Sequence, residues 1–436
     1  MTISELYKLY QQCPAVQTDT RKLNKNDIFF ALKGDNFNGN AFALKALEMG
    51  AAYAVVDEDI DASNLPAGRH GNQLIRVDNV LETLQHLAGY HREQFNIPFI
   101  AITGSNGKTT TKELIHAVLS SHYKTCTTEG NLNNHIGVPL TILKIKPDAQ
   151  IAVIEMGANH QKEIEGYCNI AQPTHGIISN IGKAHLEGFG GMEGVKKGKG
   201  ELYDFMRAHN GIAFAFHDYD YLHEMSKGIQ QIIWYGTMHG VVCGYMQAAE
   251  PFLEVAFTKG LSFHTIKTNL VGGYNLPNIL CAVTVGKYFK VPDENIRYAL
   301  ENYVPSNSRS QLIEMGSNKI ILDAYNANPS SMKVAIENFK HFHAESKVLV
   351  LGGMMELGEE SVQEHESLVR LIQQNHFENV ILVGGNFKTT HQNFRYFNNA
   401  DEAAAYLRQR HFANAYFLVK GSRSMQMEKV LTAFAQ

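Results

Sequence analysis

The segment at residues 100–111, Ile-Ala-Ile-Thr-Gly-Ser-Asn-Gly-Lys-Thr-Thr-Thr, constrains the fold more than any other part of the chain. The apolar run at residues 98–102 predicts a buried strand, and residues 112–119 predict a helix. A glycine-containing turn between a strand and a helix directs backbone N–H groups and the helix N-terminus towards a phosphate. The segment therefore predicts an α/β layer that binds a nucleotide.

Four side chains or backbone positions in this turn have predicted tasks. Gly104 and Gly107 let the backbone bend and approach an anion closely, Lys108 reaches the terminal phosphates, and the Thr109 hydroxyl is a ligand for Mg²⁺. A solvated Gly/Asn turn is the alternative, and the Gly-Lys-Thr sequence in this setting disfavours it. The general phosphate-loop pattern has an early glycine where this chain has Ile102, which indicates a shorter variant typical of a subfamily.

The length and the alternation of strand-like and helical runs predict an α/β protein with three domains, at residues 1–95, 96–304 and 305–436. The central domain is predicted to hold a mostly parallel sheet like that of P-loop ATPases. The last is predicted to be a Rossmann-like, doubly wound domain, because helical stretches separate its four apolar runs. The predicted strands are residues 27–32, 52–56, 98–102, 151–155, 176–180, 319–323, 347–351, 379–383 and 415–419; the predicted helices include 41–49 and 81–95, and a polar loop is predicted at 59–72.

Composition excludes several classes of protein. The formal net charge of −4 argues against binding a nucleic acid through bulk electrostatics. No apolar run approaches the ~20 residues of a membrane span, so no stable membrane insertion is expected. The N-terminus lacks the basic and apolar regions of a secretory signal, and the five cysteines are scattered without Cys-x-x-Cys spacing. These features predict a reduced, cytoplasmic protein without a structural zinc site.

Two candidate metal ligands follow strands of the middle third. Glu155 ends the apolar run 151–155, and ligands of open α/β sheets bind outside the carboxyl ends of the strands. An ordinary charged strand end is the alternative for this residue. His185 lies in a glycine-rich loop after the next strand, where it is a candidate metal ligand or phosphate contact. A single histidine is more often structural, and this chain has twenty.

A lysine cluster on the following predicted helix is harder to interpret. On charge alone, the cluster indicates a solvated face of the helix; it consists of Lys196, Lys197 and Lys199. A buried lysine, however, loses its charge readily and becomes nucleophilic. Reaction with CO₂ would then convert the amine to a carbamate, which is a carboxylate-like metal ligand, but the spacing alone does not demonstrate this.

The loop at residues 103–110 resembles the phosphate loop of the Mur ligase family, the ATP-dependent amide-forming enzymes of peptidoglycan precursor synthesis. That family also lacks the early glycine. The resemblance spans essentially the whole chain, and its further segments are residues 129–139, 155–160, 184–189, 199–201, 323–329 and 418–424. Within the family, the resemblance is to members that join the dipeptide D-Ala-D-Ala to UDP-N-acetylmuramoyl-tripeptide. It implies that ATP converts the tripeptide carboxylate to an acyl phosphate, which the dipeptide amine attacks, and that the enzyme is a monomer.

The resemblance also implies a set of site residues. The ATP site comprises Gly104, Ser105, Asn106, Gly107, Lys108, Thr109, Thr110, Asn275, Asn278, Arg309, Asp323 and Asn326. One Mg²⁺ is held by Thr109 and Glu155, and a second by His185 and a carbamylated Lys199. The catalytic residues are Lys108, His185 and Lys199. The substrate contacts are Thr20 and Arg21, in the uridine-binding N-terminal domain, together with Asn133, Asn134, Asn159 and His160.

Other interpretations stay open at this point. A sister ligase that adds a single amino acid and a folylpolyglutamate synthetase are the related alternatives; the former usually carries an Asp-Asn-Pro-Arg motif, which this chain lacks. A regulatory or scaffold protein that binds a nucleotide without chemistry is the alternative of a different class. For Asn275 and Asn278, the alternative to binding ATP is capping the start of a helix. A hinge near residues 300–310 suggests the hypothesis that the last domain closes over ATP.

Overall fold

The computed structural model describes residues 1–436 except residues 62, 64, 66, 67, 69, 307 and 436. Parts of the predicted loop at 59–72 and of the predicted hinge at 300–310 therefore lie outside the described residues. The chain divides into two compact units. The first comprises Met1–Ala101, Tyr123–Gly157 and Glu163–His175, and the second comprises Ile102–His122, Ala158–Lys162 and Gly176–Gln436. The three domain boundaries drawn from the sequence stay a prediction.

The secondary structure alternates strands and helices along most of the chain. The α-helices are α1 (Ile3–Tyr10), α2 (Ala43–Glu48), α3 (Val80–Arg92), α4 (Lys108–Ser120), α5 (Gly137–Leu143), α6 (Glu163–Ala171), α7 (Leu186–Phe189), α8 (Met192–Ala208), α9 (Asp220–Met225), α10 (Leu276–Tyr288), α11 (Asp293–Asn302), α12 (Pro329–Lys340), α13 (Ser361–Gln374) and α14 (Ala400–Arg410). The strands are β1 (Val16–Gln17), β2 (Ile28–Phe30), β3 (Lys33–Gly34), β4 (Phe37–Asn38), β5 (Tyr53–Val56), β6 (Leu74–Arg76), β7 (Phe99–Thr103), β8 (Thr125–Thr127), β9 (Ile151–Glu155), β10 (His175–Ile178), β11 (Ile212–Phe216), β12 (Gln231–Gly236), β13 (Val242–Ala248), β14 (Glu254–Lys259), β15 (Thr265–Lys267), β16 (Gln311–Met315), β17 (Asn318–Asp323), β18 (Ser346–Gly352), β19 (Asn379–Val383), β20 (Arg395–Phe397) and β21 (Ala415–Lys420).

The first unit contains a four-stranded parallel sheet in the order β1-β2-β5-β6 and the parallel pair β8-β9. The β2 and β5 strands read as continuous apolar runs because helices cover them, and Phe29, Ala46 and Leu47 belong to one buried cluster. In α3, buried apolar residues recur at helical spacing, and Asn79 caps the first turn by accepting from two backbone N–H groups.

The second unit contains two larger sets of strands. In one, β11, β12 and β13 run parallel, and β14 and β15 extend the sheet antiparallel. In the other, the order is β16-β17-β21-β18-β19-β20; β16 is antiparallel to β17, and the further neighbouring pairs are parallel. The apolar residues of β17, β18, β19 and β21 form one buried core. This confirms the predicted α/β class with mostly parallel sheets and a Rossmann-like last part.

Most element predictions are confirmed, and the differences concern the ends of elements and one short helix. The helix predicted at 112–119 begins at Lys108, directly after Gly107 with its left-handed φ of 75°. The strand predicted at 176–180 ends at Ile178, because the next residues turn towards the phosphate loop, where Ser105 N donates to Asn180 O at 3.0 Å. The segment after it was expected to be a loop throughout, and that was wrong for residues 186–189, which form α7. Among the described residues, no helix is long and apolar enough to cross a membrane.

Candidate active site

The phosphate loop has the predicted strand–turn–helix geometry, with β7 buried and α4 starting at Lys108. Gly104 has φ 142°, and a Cβ atom there would lie 2.1 Å from Ser179 Oγ. Gly107 also has a positive φ, and a Cβ there would lie 3.0 Å from Asn278 Oδ1. Both positions therefore need glycine, for backbone conformation and for space.

The segment after β10 holds the loop in place. Ser105 Oγ both donates to Gly182 O and accepts from Gly182 N, each at 2.9 Å. Asn106 N donates to Asn180 Oδ1 at 2.9 Å, and Ser179 Oγ donates to Asn106 O at 2.6 Å. The loop is thus preorganised by hydrogen bonds that do not use a ligand.

Lys108, which is predicted to reach the terminal phosphates, lies over the phosphate loop. Its Nζ donates to the carbonyl oxygens of Gly104 at 2.6 Å and of Ser105 at 3.2 Å. Thr109, the predicted Mg²⁺ ligand, is buried in the first turn of α4. The ammonium group therefore lies beside the turn that is predicted to bind phosphate, and its contact with a phosphate stays a prediction.

Among the three lysines of α8, only Lys199 is buried, with 1% of its surface exposed. Its Nζ donates to Ala158 O at 2.8 Å and lies 4.9 Å from the centre of the Phe189 ring. Two glycines of α8 make room for Phe189: a Cβ on Gly194 would lie 1.8 Å from the Phe189 backbone oxygen, and a Cβ on Gly198 would lie 2.4 Å from Cε1 of its ring. Burial singles out the lysine that the family resemblance selected.

His185 precedes α7 and has an unusual backbone conformation, with φ 54°. Its Nδ1 lies 2.6 Å from Oε2 of Glu356, in the turn after β18. The imidazole beside it holds the pKa of Glu356 below its usual range, against the opposing effect of burial. Sequence analysis missed Glu356; its place shortly after an apolar strand, the same signal that singled out Glu155, could have found it.

Asn275 and Asn278 belong to a buried chain of hydrogen bonds between α10 and α4. Thr111 Oγ1 donates to Asn278 Oδ1 at 3.0 Å, and Asn278 Nδ2 donates to Asn275 Oδ1 at 2.9 Å. Asn275 Nδ2 donates in turn to Val271 O at 2.9 Å. Asn275, at the start of α10, makes no side-chain capping bond, so the helix-cap alternative is wrong for that residue. Their contact with ATP stays a prediction.

The last part of the chain places its three candidates around the end of β17. The Arg309 guanidinium lies 3.5 Å from the centre of the Tyr325 ring. Asp323 Oδ2 lies 2.5 Å from Nζ of the buried Lys420, and Asn326 Oδ1 accepts from the next backbone N–H at 2.9 Å. Lys420 was not among the predicted site residues; it is the charge partner that allows Asp323 to be partly buried.

In the first unit, Glu155 is buried at the end of β9, with 1% of its surface exposed. Its Oε1 accepts from Asn133 Nδ2 at 2.7 Å, and its backbone N donates to Thr128 Oγ1 at 2.9 Å. Asn134 Oδ1 accepts from the N–H of Gly137 at 2.9 Å and so helps to start α5. A buried carboxylate held by an amide is more than an ordinary charged strand end, and its chemistry suits an oxygen-preferring cation.

The remaining substrate candidates are exposed or partly exposed. Thr20 and Arg21 open a short 3₁₀ helix, and the Arg21 side chain, 87% exposed, pairs with Asp19 at 2.7 Å. Hydrogen bonds from Arg21 lower the pKa of Asp19 to about 2. Asn159 and His160 lie against α7. The contact is so close that a Cβ on Gly188 of this helix would be 2.3 Å from Asn159 O. Substrate contacts of all these residues stay predictions.

Within the described residues, no group of three or more His, Cys, Asp or Glu side chains is arranged to hold a metal ion. The predicted ligands do not require such a group, because they include a hydroxyl and a modified lysine. In the second unit, α7 links two of them: His185 precedes this helix, and its Phe189 ring covers Lys199.

Known proteins resemble this chain both in sequence and in fold. Three family models match: the Mur ligase family catalytic domain over residues 14–92, the Mur ligase middle domain over 102–286, and the glutamate ligase domain over 308–423. The chain is 34% identical to the UDP-N-acetylmuramoyl-tripeptide–D-alanyl-D-alanine ligase of Escherichia coli over 97% of this chain and 94% of that protein. A crystal structure of MurF from Acinetobacter baumannii gives a TM-score of 0.87 at 30% identity, covering 99% of this chain and 98% of that chain. The structure of MurF ligase from Thermotoga maritima in complex with ADP gives a TM-score of 0.86 at 27% identity, covering 98% of this chain and 97% of that chain.

Proposed function

The chain belongs to the Mur ligase family, and we propose that it is the ATP-dependent ligase that joins D-Ala-D-Ala to UDP-N-acetylmuramoyl-tripeptide. The product is the UDP-muramoyl-pentapeptide precursor of peptidoglycan. The observation that carries this proposal is the match over nearly the full length to a relative named for this reaction. The phosphate loop, the buried Lys199 and the buried Glu155 supply the chemistry that such a reaction needs.

The proposed reaction begins by activating a carboxylate, which is a poor acyl donor because its leaving group would be oxide. Transfer of the γ-phosphoryl group of ATP to the tripeptide carboxylate gives an acyl phosphate and ADP. The amine of D-Ala-D-Ala attacks the carbonyl carbon, and phosphate leaves. Phosphoryl transfer depends mainly on positioning and charge stabilisation. Lys108 and the N–H groups of the Gly104–Lys108 turn would bind the β- and γ-phosphates, and Asn275, Asn278, Arg309, Asp323 and Asn326 would contact the rest of the nucleotide.

Mg²⁺ would neutralise the phosphates and polarise the transferred group when bound. The residues present fit this cation, because hydroxyl and carboxylate oxygens are the ligands it prefers. Thr109 and Glu155 would hold one ion, and His185 with a carbamylated Lys199 would hold a second. Lys199 is the buried lysine of α8, with 1% of its surface exposed. We also propose that the enzyme acts as a monomer in the cytoplasm, where ATP is supplied.

The related alternatives differ in the acceptor. A ligase that adds one amino acid to a UDP-muramoyl peptide, or a folylpolyglutamate synthetase, would use the same phosphate loop. The Asp-Asn-Pro-Arg motif of the former is absent from this chain, and the E. coli relative at 34% identity is named for the dipeptide acceptor. These observations favour D-Ala-D-Ala over a single amino acid.

A phosphate-release assay tests the proposal. ATP, Mg²⁺, UDP-N-acetylmuramoyl-tripeptide and D-Ala-D-Ala together should release phosphate and give the pentapeptide, identified by mass. Omitting either the tripeptide or the dipeptide should abolish release. Phosphate release that proceeds equally with a single amino acid, or without any acceptor, would refute the assignment. The Lys108→Ala variant is the control for release by a contaminating ATPase.

A further inference from the structure

A turn that is distant from Arg309 in the chain contacts the residue beside it. This turn is the 3₁₀ helix Gly273–Asn275, which leads into α10. Oη of Tyr274, in the middle of the turn, lies 2.8 Å from Oγ of Ser310, the residue after Arg309. One hydrogen bond therefore joins the immediate neighbours of two predicted nucleotide contacts, Asn275 and Arg309.

The backbone on both sides of Arg309 has an unusual conformation. Ser308 and Ser310 have left-handed φ angles, 56° and 47°, which residues other than glycine rarely adopt. Such conformations persist where the surrounding structure imposes them. For Ser310 there are two constraints: its Oγ is hydrogen-bonded to Tyr274, and its backbone N donates to Oδ1 of Asp323 at 3.2 Å. The backbone that carries Arg309 is thus held through the hydrogen bonds of its neighbour.

Tyr274 is itself placed by close packing and by its turn. A Cβ on Gly272 would lie 2.3 Å from Cε1 of the Tyr274 ring, so the ring lies directly against this glycine. The N–H of Gly273 donates to Oδ1 of Asn338, in α12, at 3.1 Å. The hydroxyl is therefore presented to Ser310 from a turn that other contacts hold in place.

Asp323 lies on the other side of the same serine. Its Oδ2 is 2.5 Å from Nζ of the buried Lys420, and its Oδ1 accepts from the backbone N of Ser310. The ion pair fixes the carboxylate that the serine uses. Ser310 thus connects Tyr274 to two predicted nucleotide contacts, Arg309 by the chain and Asp323 by a hydrogen bond.

We propose that Tyr274 is a positioning residue for ATP binding, whose hydroxyl acts through Ser310 to hold Arg309 and Asp323 in place for the nucleotide. The inference rests on the proposed function, which assigns the last two residues to the ATP site. Tyr274 needs no contact with ATP for this role. Loss of its hydroxyl should therefore change the affinity for the nucleotide and leave the affinity for the tripeptide unchanged.

Removal of this one hydroxyl tests the proposal. Calorimetry should show that Tyr274→Phe binds ADP about 3- to 10-fold more weakly than the wild type, the factor expected for one hydrogen bond. Tyr203→Phe is the matched control, because it removes the hydroxyl of a buried tyrosine in α8, which donates to Phe214 O at 3.4 Å. The control should bind ADP as the wild type does. Equal ADP affinity in Tyr274→Phe and the wild type would overturn the proposal.

A double-variant cycle tests whether Tyr274 acts through Ser310. Ser310→Ala removes Oγ and keeps the backbone N–H that donates to Asp323. Either substitution breaks the same hydrogen bond, so each single variant and the double variant should weaken ADP binding by the same factor. If the two factors multiply in the double variant, the two side chains act independently and the proposal is wrong.

Steady-state kinetics separate positioning from a general loss of structure. In Tyr274→Phe the KM for ATP should rise about 3- to 10-fold, while the KM for UDP-N-acetylmuramoyl-tripeptide stays unchanged. An equal rise in both KM values would contradict a role at the nucleotide. If ADP binding responds as expected but wild-type phosphate release does not depend on D-Ala-D-Ala, the positioning role is supported and the proposed function is refuted.

Discussion

Replacing Gly194 with alanine is expected to displace α7 and to lower both stability and activity. A Cβ at this position would lie 1.8 Å from the backbone oxygen of Phe189, whereas real contacts of this kind are essentially never below 3.0 Å. A backbone oxygen cannot rotate away, so α7 must move by about 1.2 Å or more. Both His185 and Phe189 move with it, and Phe189 covers Lys199.

The size of the effect follows from two opposing contributions. Overpacking costs roughly 1–3 kcal/mol, and replacing glycine with alanine in a helix returns up to about 1 kcal/mol. Gly200→Ala in the same helix is the matched control, because its Cβ would meet only a methionine methyl group, at 3.5 Å. Gly200→Ala should therefore stabilise the protein by about 0.5–1 kcal/mol. The two variants should differ by about 2 kcal/mol in the free energy of unfolding.

Thermal unfolding and phosphate release measure the two consequences. A difference of 2 kcal/mol corresponds to about 4–8 °C in the unfolding midpoint of a domain of ~200 residues. Misplacement of reacting groups by about 1 Å costs on the order of 100-fold in rate, so Gly194→Ala should lose about that much turnover. Gly200→Ala should keep its turnover within about twofold. The reasoning is refuted if the two variants have the same midpoint and the same turnover.

Three further predictions concern single side chains. Lys199→Ala should abolish ligase activity and acetate should partly restore it, whereas Lys197→Ala, on the exposed face of the same helix, should stay active; an active Lys199→Ala without additive contradicts the assignment. Burial lowers the pKa of His175 to about 4, so the stability it contributes is present above its unfolded pKa of ~6.5 and is lost as the pH falls towards 4. At pH 5 the free energy of unfolding should be roughly 2 kcal/mol lower than at pH 7.5 because of His175, and this decrease should be absent in His175→Gln. Denaturant titration measures it, and an equal pH dependence of the two proteins would contradict the prediction. Asn278→Ala should leave Thr111 without its acceptor and cost about 1–3 kcal/mol, and calorimetry of ADP binding should show a weaker affinity; unchanged unfolding and affinity would count against its position in the site.

Local sequence patterns predicted the parts of the fold that local physics determines. Apolar runs such as residues 151–155 and 379–383 are strands with the predicted bounds, because a strand buried on both faces needs a continuous apolar run. The phosphate loop could be predicted for a similar reason, since its two glycines are required by backbone conformation. By contrast, α7 has four residues and too little periodicity to be recognised in a glycine-rich segment.

Contacts between distant segments could not be predicted in the same way. Nothing near His185 in the chain indicates that its ring faces Glu356, because the pair depends on two turns with left-handed residues. The lysine cluster shows the same limit: Lys196, Lys197 and Lys199 are chemically identical, and only packing distinguishes them. Lys199, which the family resemblance selected, is the buried one, whereas charge pattern alone favoured a solvated face; its role as a metal ligand stays a prediction.

The packing of α7 on α8 connects these observations. Gly194 and Gly198 are four residues apart, so they lie on one face of α8 and leave a groove for Phe189. Phe189 lies in that groove and covers the buried Lys199, the proposed carbamylated ligand. The same short helix begins directly after His185, whose ring faces Glu356. Two small residues on α8 thus determine both the burial of one proposed ligand and the position of the other, which is why a single methyl group at Gly194 should disturb the whole site.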